Sequence, residues 1–215
     1  MSCQFDLAHY RELLEAAKTG GYRWAGFERA PEPGDLLLRH DVDLSLAAAV
    51  AMAEVEAEAR TASTWFLMTR SFFYNLASPA GERAIARLRE LGGRIAHHAV
   101  WPQLDLDAPF GFEPVVAWHN PEPEYMTEPI GGATNVMAPP WFESVNYRSD
   151  SNQHWRHGCP HEALAHGDFE WLQLLIHPEI WVYDGETMGE TMRSFLDADR
   201  EARLEHLRAD RIDLE

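Results

Sequence analysis

The stretch 35-DLLLRHDVDLSLAAAVAMAEVEAEAR-60 decides the fold. Pro31, Pro33 and Gly34 punctuate a loop ahead of it. Residues 35–39 are a short apolar run after those turn signals, which predicts a buried strand. From residue 45 to 60 the chain becomes Ala-rich, with Leu46, Val50, Ala53 and Ala57 on one face and Ser45 as a helix cap. A buried strand running straight into a helix is one unit of an α/β architecture.

Working outward, the same alternation recurs. Residues 5–18 place Leu7, Tyr10, Leu13 and Leu14 at helical spacing, and Gly20–Gly21 end that helix. Residues 62–68 (ASTWFLM) are aromatic-rich and strand-like. Residues 79–91 form a helix with Pro79 at its start and Gly92 past its end. Segments 94–98, 115–119, 145–148 and 171–176 have strand length, and 186–208 is a helix with a charged, solvent-facing end. Between residues 105 and 140 many prolines and no helical period predict long loops. The expected fold is α/β with a mostly parallel sheet. With no internal repeat and no linker, residues 1–215 read as one domain.

Charge narrows the function. Eighteen Lys and Arg against 35 Asp and Glu give a net charge of −17. Such a field disfavours a phosphate-tracking nucleic-acid binder and docking on anionic membranes. No apolar stretch reaches the roughly 18 residues of a membrane span. Residues 1–10 lack the basic and apolar regions of a signal peptide, so the expected location is cytoplasmic. The two cysteines, Cys3 and Cys159, are far apart in sequence and imply no disulfide framework. Eleven His and eight Trp stand out, and the His have a pattern.

Five apolar segments end in Asp or His. DLLLR runs into His40, Asp41 and Asp43; RIA into His97 and His98; VVAW into His119; VNYRS into Asp150; LQLLI into His177. The C-terminal ends of parallel strands are where α/β proteins gather their reactive groups. Carboxylates with imidazoles suit a hydrolytic metal site: one carboxylate and two neutral His hold a divalent ion, a second carboxylate takes a proton from water, and a protonated His serves the leaving group. At the end of a strand, Asp41 and Asp43 can both reach one site with different roles. The donor set makes zinc the first choice of metal, with cobalt, nickel and manganese as further candidates.

These segments carry a family resemblance. His40-Asp41-Val42-Asp43, preceded by LLLR and followed by the Ala-rich helix, resembles the first motif of the polysaccharide deacetylases (carbohydrate esterase family 4), in a branch with a His-Asp-Val-Asp opening. IAHH (95–98), WHNP (118–121), YRSDSNQHWR (147–156) and LQLLIHPEIW (172–181) follow in matching order. The resemblance implies a distorted (β/α)7-type barrel and metal-dependent hydrolysis of a C–N amide bond, with N-deacetylation of an amino-sugar-containing substrate as the leading activity. It implies Asp41 as base, Asp43 as metal ligand, His177 as general acid, and Asp150 as the residue that tunes that acid. Trp155 and Arg156 fall in the segment that walls the groove, and Trp118 is a further candidate for stacking on substrate. Two departures stand out. The family's pair of metal-binding His one helical turn apart is absent, because Trp101 and Pro102 follow His97 and His98 at that spacing. The family's Arg-Pro motif is replaced by His119-Asn120-Pro121. His98 best matches the first His; His119 is taken as third ligand, with His97 as the alternative.

Bland roles compete with these. Asp41 and Asp43 could cap the following helix, one of His97 and His98 is structural, and the tryptophans could all be core. His154, His157, Cys159, His161 and His166 lack the paired C-x-x-C geometry of a structural zinc site and read as a polar loop near the site entrance. The rival to a hydrolase is a non-catalytic carbohydrate- or nucleotide-sugar-binding protein on the same barrel. The expected partner is a small-molecule or glycan substrate, and formation of a homo-oligomer is left open.

Overall fold

The computed structural model describes residues 3–213. Their elements run α1 (Leu7–Thr19), β1 (Arg23–Trp24), β2 (Asp35–Val42), α2 (Leu46–Ala59), β3 (Thr64–Met68), α3 (Pro79–Glu90), β4 (Arg94–Ala99), β5 (Val115–Trp118), β6 (Thr134–Asn135), β7 (Tyr147–Ser149), α4 (His161–His166), β8 (Leu172–Ile176), α5 (Pro178–Val182) and α6 (Met188–Ala209). All strand pairings among them are parallel, in the order β6-β5-β4-β3-β2-β8-β7, with β1 beside the start of β2. The α/β expectation therefore holds, and the sheet is a curled half-barrel.

The period-2 alternation of each strand builds two cores. Leu37, Phe66, Ala96, Ala117 and Val136 pack together on the concave side, joined by Phe27 and Trp171. Gln173 on β8 ties the curl together, because its amide nitrogen donates to the carbonyls of Val136 and Trp141. On the convex side Leu36, Leu38, Trp65, Leu67, Leu172, Leu174 and Ile176 meet the helices through Leu13, Met52, Leu88 and Ile180. Residues on both faces are buried, which is why β2 and β8 read as continuous apolar runs instead of alternating ones. Truncating Leu38, fully buried in the outer core, to Ala would cost about 2–5 kcal/mol.

Helix ends follow the sequence signals. Ser45 caps α2 by accepting from the Ala48 N–H, and Ser78 caps α3 with Pro79 at its first position. Beyond β4 the outer face of β5 carries no helix. Val116 and Trp118 are covered there by Trp101, Leu104, Leu106 and Ile130 from the loops. Two-residue β6 and the short helices α4 and α5 escaped the sequence reading, since none spans enough residues to show a period.

Candidate metal centre and acid–base groups

On β2, Arg39 and Asp41 share the concave face, while His40 turns outward. The His40 ring stacks on Trp65 at 3.9 Å, and its Nε2 meets Glu56 Oε1 at 2.5 Å. Glu56 also accepts from Tyr10 and Ser63, so His40 belongs to a buried structural network. Inward, the Arg39 guanidinium forks onto Asp41, with Nε to Oδ1 at 2.8 Å and Nη2 to Oδ2 at 2.6 Å. Arg39 spends its remaining nitrogen on Gln173 Oε1 at 3.0 Å and Met137 Sδ at 3.0 Å. Burial pushes the Asp41 carboxyl up, but the charge of Arg39 and then His98 outweigh it, and the net shift is downward. Asp41 is thus a buried, ionised carboxylate.

Asp43 follows β2 on the same inward row. Its Oδ1 lies 2.9 Å from His98 Nε2 and 3.1 Å from His119 Nδ1, and the two ring nitrogens are 3.2 Å apart. His98 comes from β4 and His119 from the residue after β5, so three strand ends supply one donor each. Asp43 does not cap α2, because Ser45 does. His97 faces the opposite way, edge-on to Phe112 at 5.1 Å, and burial lowers its pKa. Of the two alternatives for third ligand, only His119 reaches Asp43 and His98.

The donor chemistry of this trio fits a cation. His98 Nδ1 donates to the Ala117 carbonyl at 2.9 Å, so a neutral His98 presents a lone pair at Nε2. That lone pair faces a carboxylate oxygen which, although buried, makes no aligned hydrogen bond among the described residues. Two lone pairs held 2.9 Å apart call for either a proton or a metal cation between them. Burial raises the Asp43 pKa, yet the contacts with His119 and His98 prevail and hold it well below the usual range.

Facing this trio is a second dyad. Asp150 follows β7 and His177 follows β8, at the ends of two paired strands. The His177 ring Nδ1 donates to Asp150 Oδ1 at 2.6 Å, and the His177 backbone N–H and Trp181 Nε1 donate to Oδ2 at 2.9 and 2.7 Å. Among the described residues, Nε2 makes no hydrogen bond. Burial lowers the imidazole pKa, but the Asp150 charge and hydrogen bond, aided by Asp43, push it up to about 10. Nearby Glu179, buried in the first turn of α5, is pushed up to about 8 by burial against the pull of His177.

One cavity of about 120 Å³ joins these groups, lined by Arg39, Asp41, Asp43, His98, His119 and His177 together with Asn120, Tyr147, Ser151 and Met137. Arg39, Tyr147 and Ser151 were not singled out from the sequence. An arginine two residues before an aspartate on one strand was the available signal for the first. Trp118 borders the cavity but is buried against Trp101, with ring centroids 5.0 Å apart. Trp155 and Arg156 do not line it. Trp155 is buried in the outer core beside Phe5 and Trp181, and Arg156 is exposed on a turn. Cys159 likewise lies elsewhere, with Cys3 and His9. No helix among the described residues is long and apolar enough to cross a membrane. No protein-family model, curated protein or solved structure matches this chain.

Proposed function

We propose that the protein is a metal-dependent hydrolase of a C–N amide bond, with an N-acylated amino sugar as its substrate class. The observation that carries this reading is the meeting of three kinds of group around one cavity: the Asp43–His98–His119 trio, the Arg39-held Asp41 carboxylate and the Asp150-held His177. The ordered motifs that resemble the polysaccharide deacetylases, which contain these same residues, support it, as does the curled parallel sheet, which agrees with a distorted (β/α)7-type barrel.

Asp43, His98 and His119 would hold a divalent cation, which would supply Lewis acidity toward a carbonyl and water; zinc suits the donor set. Asp41, ionised and 3.8 Å from His98 Nε2, is the base that takes a proton from the attacking water. His177 holds a proton at Nε2 and delivers it to the leaving nitrogen, which departs as an amine. Asp150 fixes the His177 tautomer and keeps the ring charged. The 120 Å³ cavity is small beside ordinary ligand sites of roughly 300–1,000 Å³. It suits an acyl group, with the rest of the substrate lying outside.

The test is acetate release from N-acetylated amino sugars by the wild type, Asp41→Asn and His177→Ala. Turnover lost in both variants with metal retained is expected; retained turnover in Asp41→Asn removes the base. One observation favours a second reading, a non-catalytic sugar-binding protein: Arg39 occupies both oxygens of Asp41. Sugar binding that survives chelation, with no hydrolysis of any N-acyl sugar, would select that reading.

A further inference from the structure

A second cluster of metal-type donors lies outside the strand-end cavity, separated from Asp150 by Trp181. Cys3 precedes α1, His9 sits in its first turn, and Cys159 stands just before α4. Their donor atoms all lie within 4.8 Å of one another. His9 Nε2 is 3.2 Å from Cys159 Sγ, although the two residues are 150 positions apart. The three line one side of a 630 Å³ cavity with Asp6, Glu12 and His161.

Glu12 Oε2 lies 2.8 Å from His9 Nδ1, which fixes the tautomer and leaves the Nε2 lone pair toward Cys159. The Trp155 indole N–H donates to Cys3 Sγ at 3.1 Å, while the contact with Cys159 and burial push the Cys3 thiol pKa up in the absence of a metal. The His161 ring is on the same cavity wall, 5.9 Å from that of His9, and is not one of the three grouped donors. Two sulfurs and one imidazole are soft donors of the kind that select zinc, and with three protein ligands the fourth position is left open.

We infer that Cys3, His9 and Cys159 form a zinc site that fastens the segment ahead of α1 to the loop ahead of α4. Its ligands share no residue with the trio at the strand ends, so the two sites stand or fall separately. In this site the sequence neighbours His157 and His154 take no part; both are exposed.

Cobalt(II) reports the site directly, because thiolate ligands give near-ultraviolet charge-transfer absorption that the sulfur-free trio cannot give. The probe is Co²⁺ added to fully reduced full-length Asp43→Ala, which lacks the other site. The expected result is a thiolate-to-cobalt band with one equivalent bound, abolished in Asp43→Ala/Cys159→Ser and reduced in Asp43→Ala/Cys3→Ser. Glu12→Gln, which leaves every donor in place, should weaken cobalt binding about 10–100-fold. Far-ultraviolet circular dichroism separates ligand loss from misfolding, and Cys3→Ser, outside every helix, serves if Cys159→Ser fails to fold. No charge-transfer band in reduced Asp43→Ala would overturn the proposal, as would a band that survives in both serine variants. Mass loss of two hydrogens in air with no cobalt band after reduction would identify a disulfide pair and also overturn it.

Discussion

Asp150 accepts four hydrogen-bond contacts, and His177 makes three of them, through its ring and its own backbone N–H. The two residues end neighbouring parallel strands, so the sheet itself sets their spacing. A carboxylate held this way keeps its imidazole charged where a free histidine would be neutral.

The first prediction concerns pH. His177 rises from 6.5 to about 10 on folding, so its charge contributes stability that is complete below pH 6.5 and is lost as pH climbs through about 10. Activity should fall on the alkaline side near the same value. Asp150→Asn should bring that limb down toward 6.5, read from a pH–rate profile and from the His177 ring signals in NMR. An unmoved limb would deny the dyad its role.

Arg39 and Asp41 are nearly inaccessible, with side-chain exposures of 1% and 4%. Arg39→Met therefore leaves an uncompensated buried carboxylate and should cost about 3–5 kcal/mol in denaturant unfolding. The Asp41 pKa should rise with it, moving the acidic limb of activity to higher pH. A loss below 1 kcal/mol would mean that water reaches the pair.

His97 and His98 adjoin on β4 but face opposite sides, which makes them an internal control. His98→Ala should abolish metal binding at the strand-end site. His97→Ala should leave it intact and lower stability by about 1–3 kcal/mol through lost packing on Phe112. Metal lost equally in both variants would break the assignment of faces.

Glu56 provides a second control on the convex face. Its Oε1 meets Tyr10 and His40, and its Oε2 accepts from Ser63, all at 2.5 Å. Glu56→Leu leaves these partners unpaired and should cost about 1–3 kcal/mol with metal content unchanged.

Much of this site was legible in the sequence because parallel strands declare their ends. An apolar run that stops at Asp or His marks both a strand boundary and a side chain at the rim, and Asp43, His98, His119, Asp150 and His177 were all found that way. What periodicity cannot supply is the partner across the fold. Nothing in the sequence joins Cys159 to Cys3 and His9, and its sequence neighbours His154 and His157 are exposed. Trp155 reads as a groove wall in its motif but packs into the outer core, because the helix side of the sheet needs large apolar residues where α1 and α5 meet.

The most direct measurement is metal content by elemental analysis of wild type and Asp43→Ala, both in a Cys159→Ser background that removes the sulfur site. About one equivalent of zinc or another transition metal in the first protein and none in the second is the expected result. Equal metal in both, or none in either after reconstitution, would contradict a metal centre at Asp43, His98 and His119.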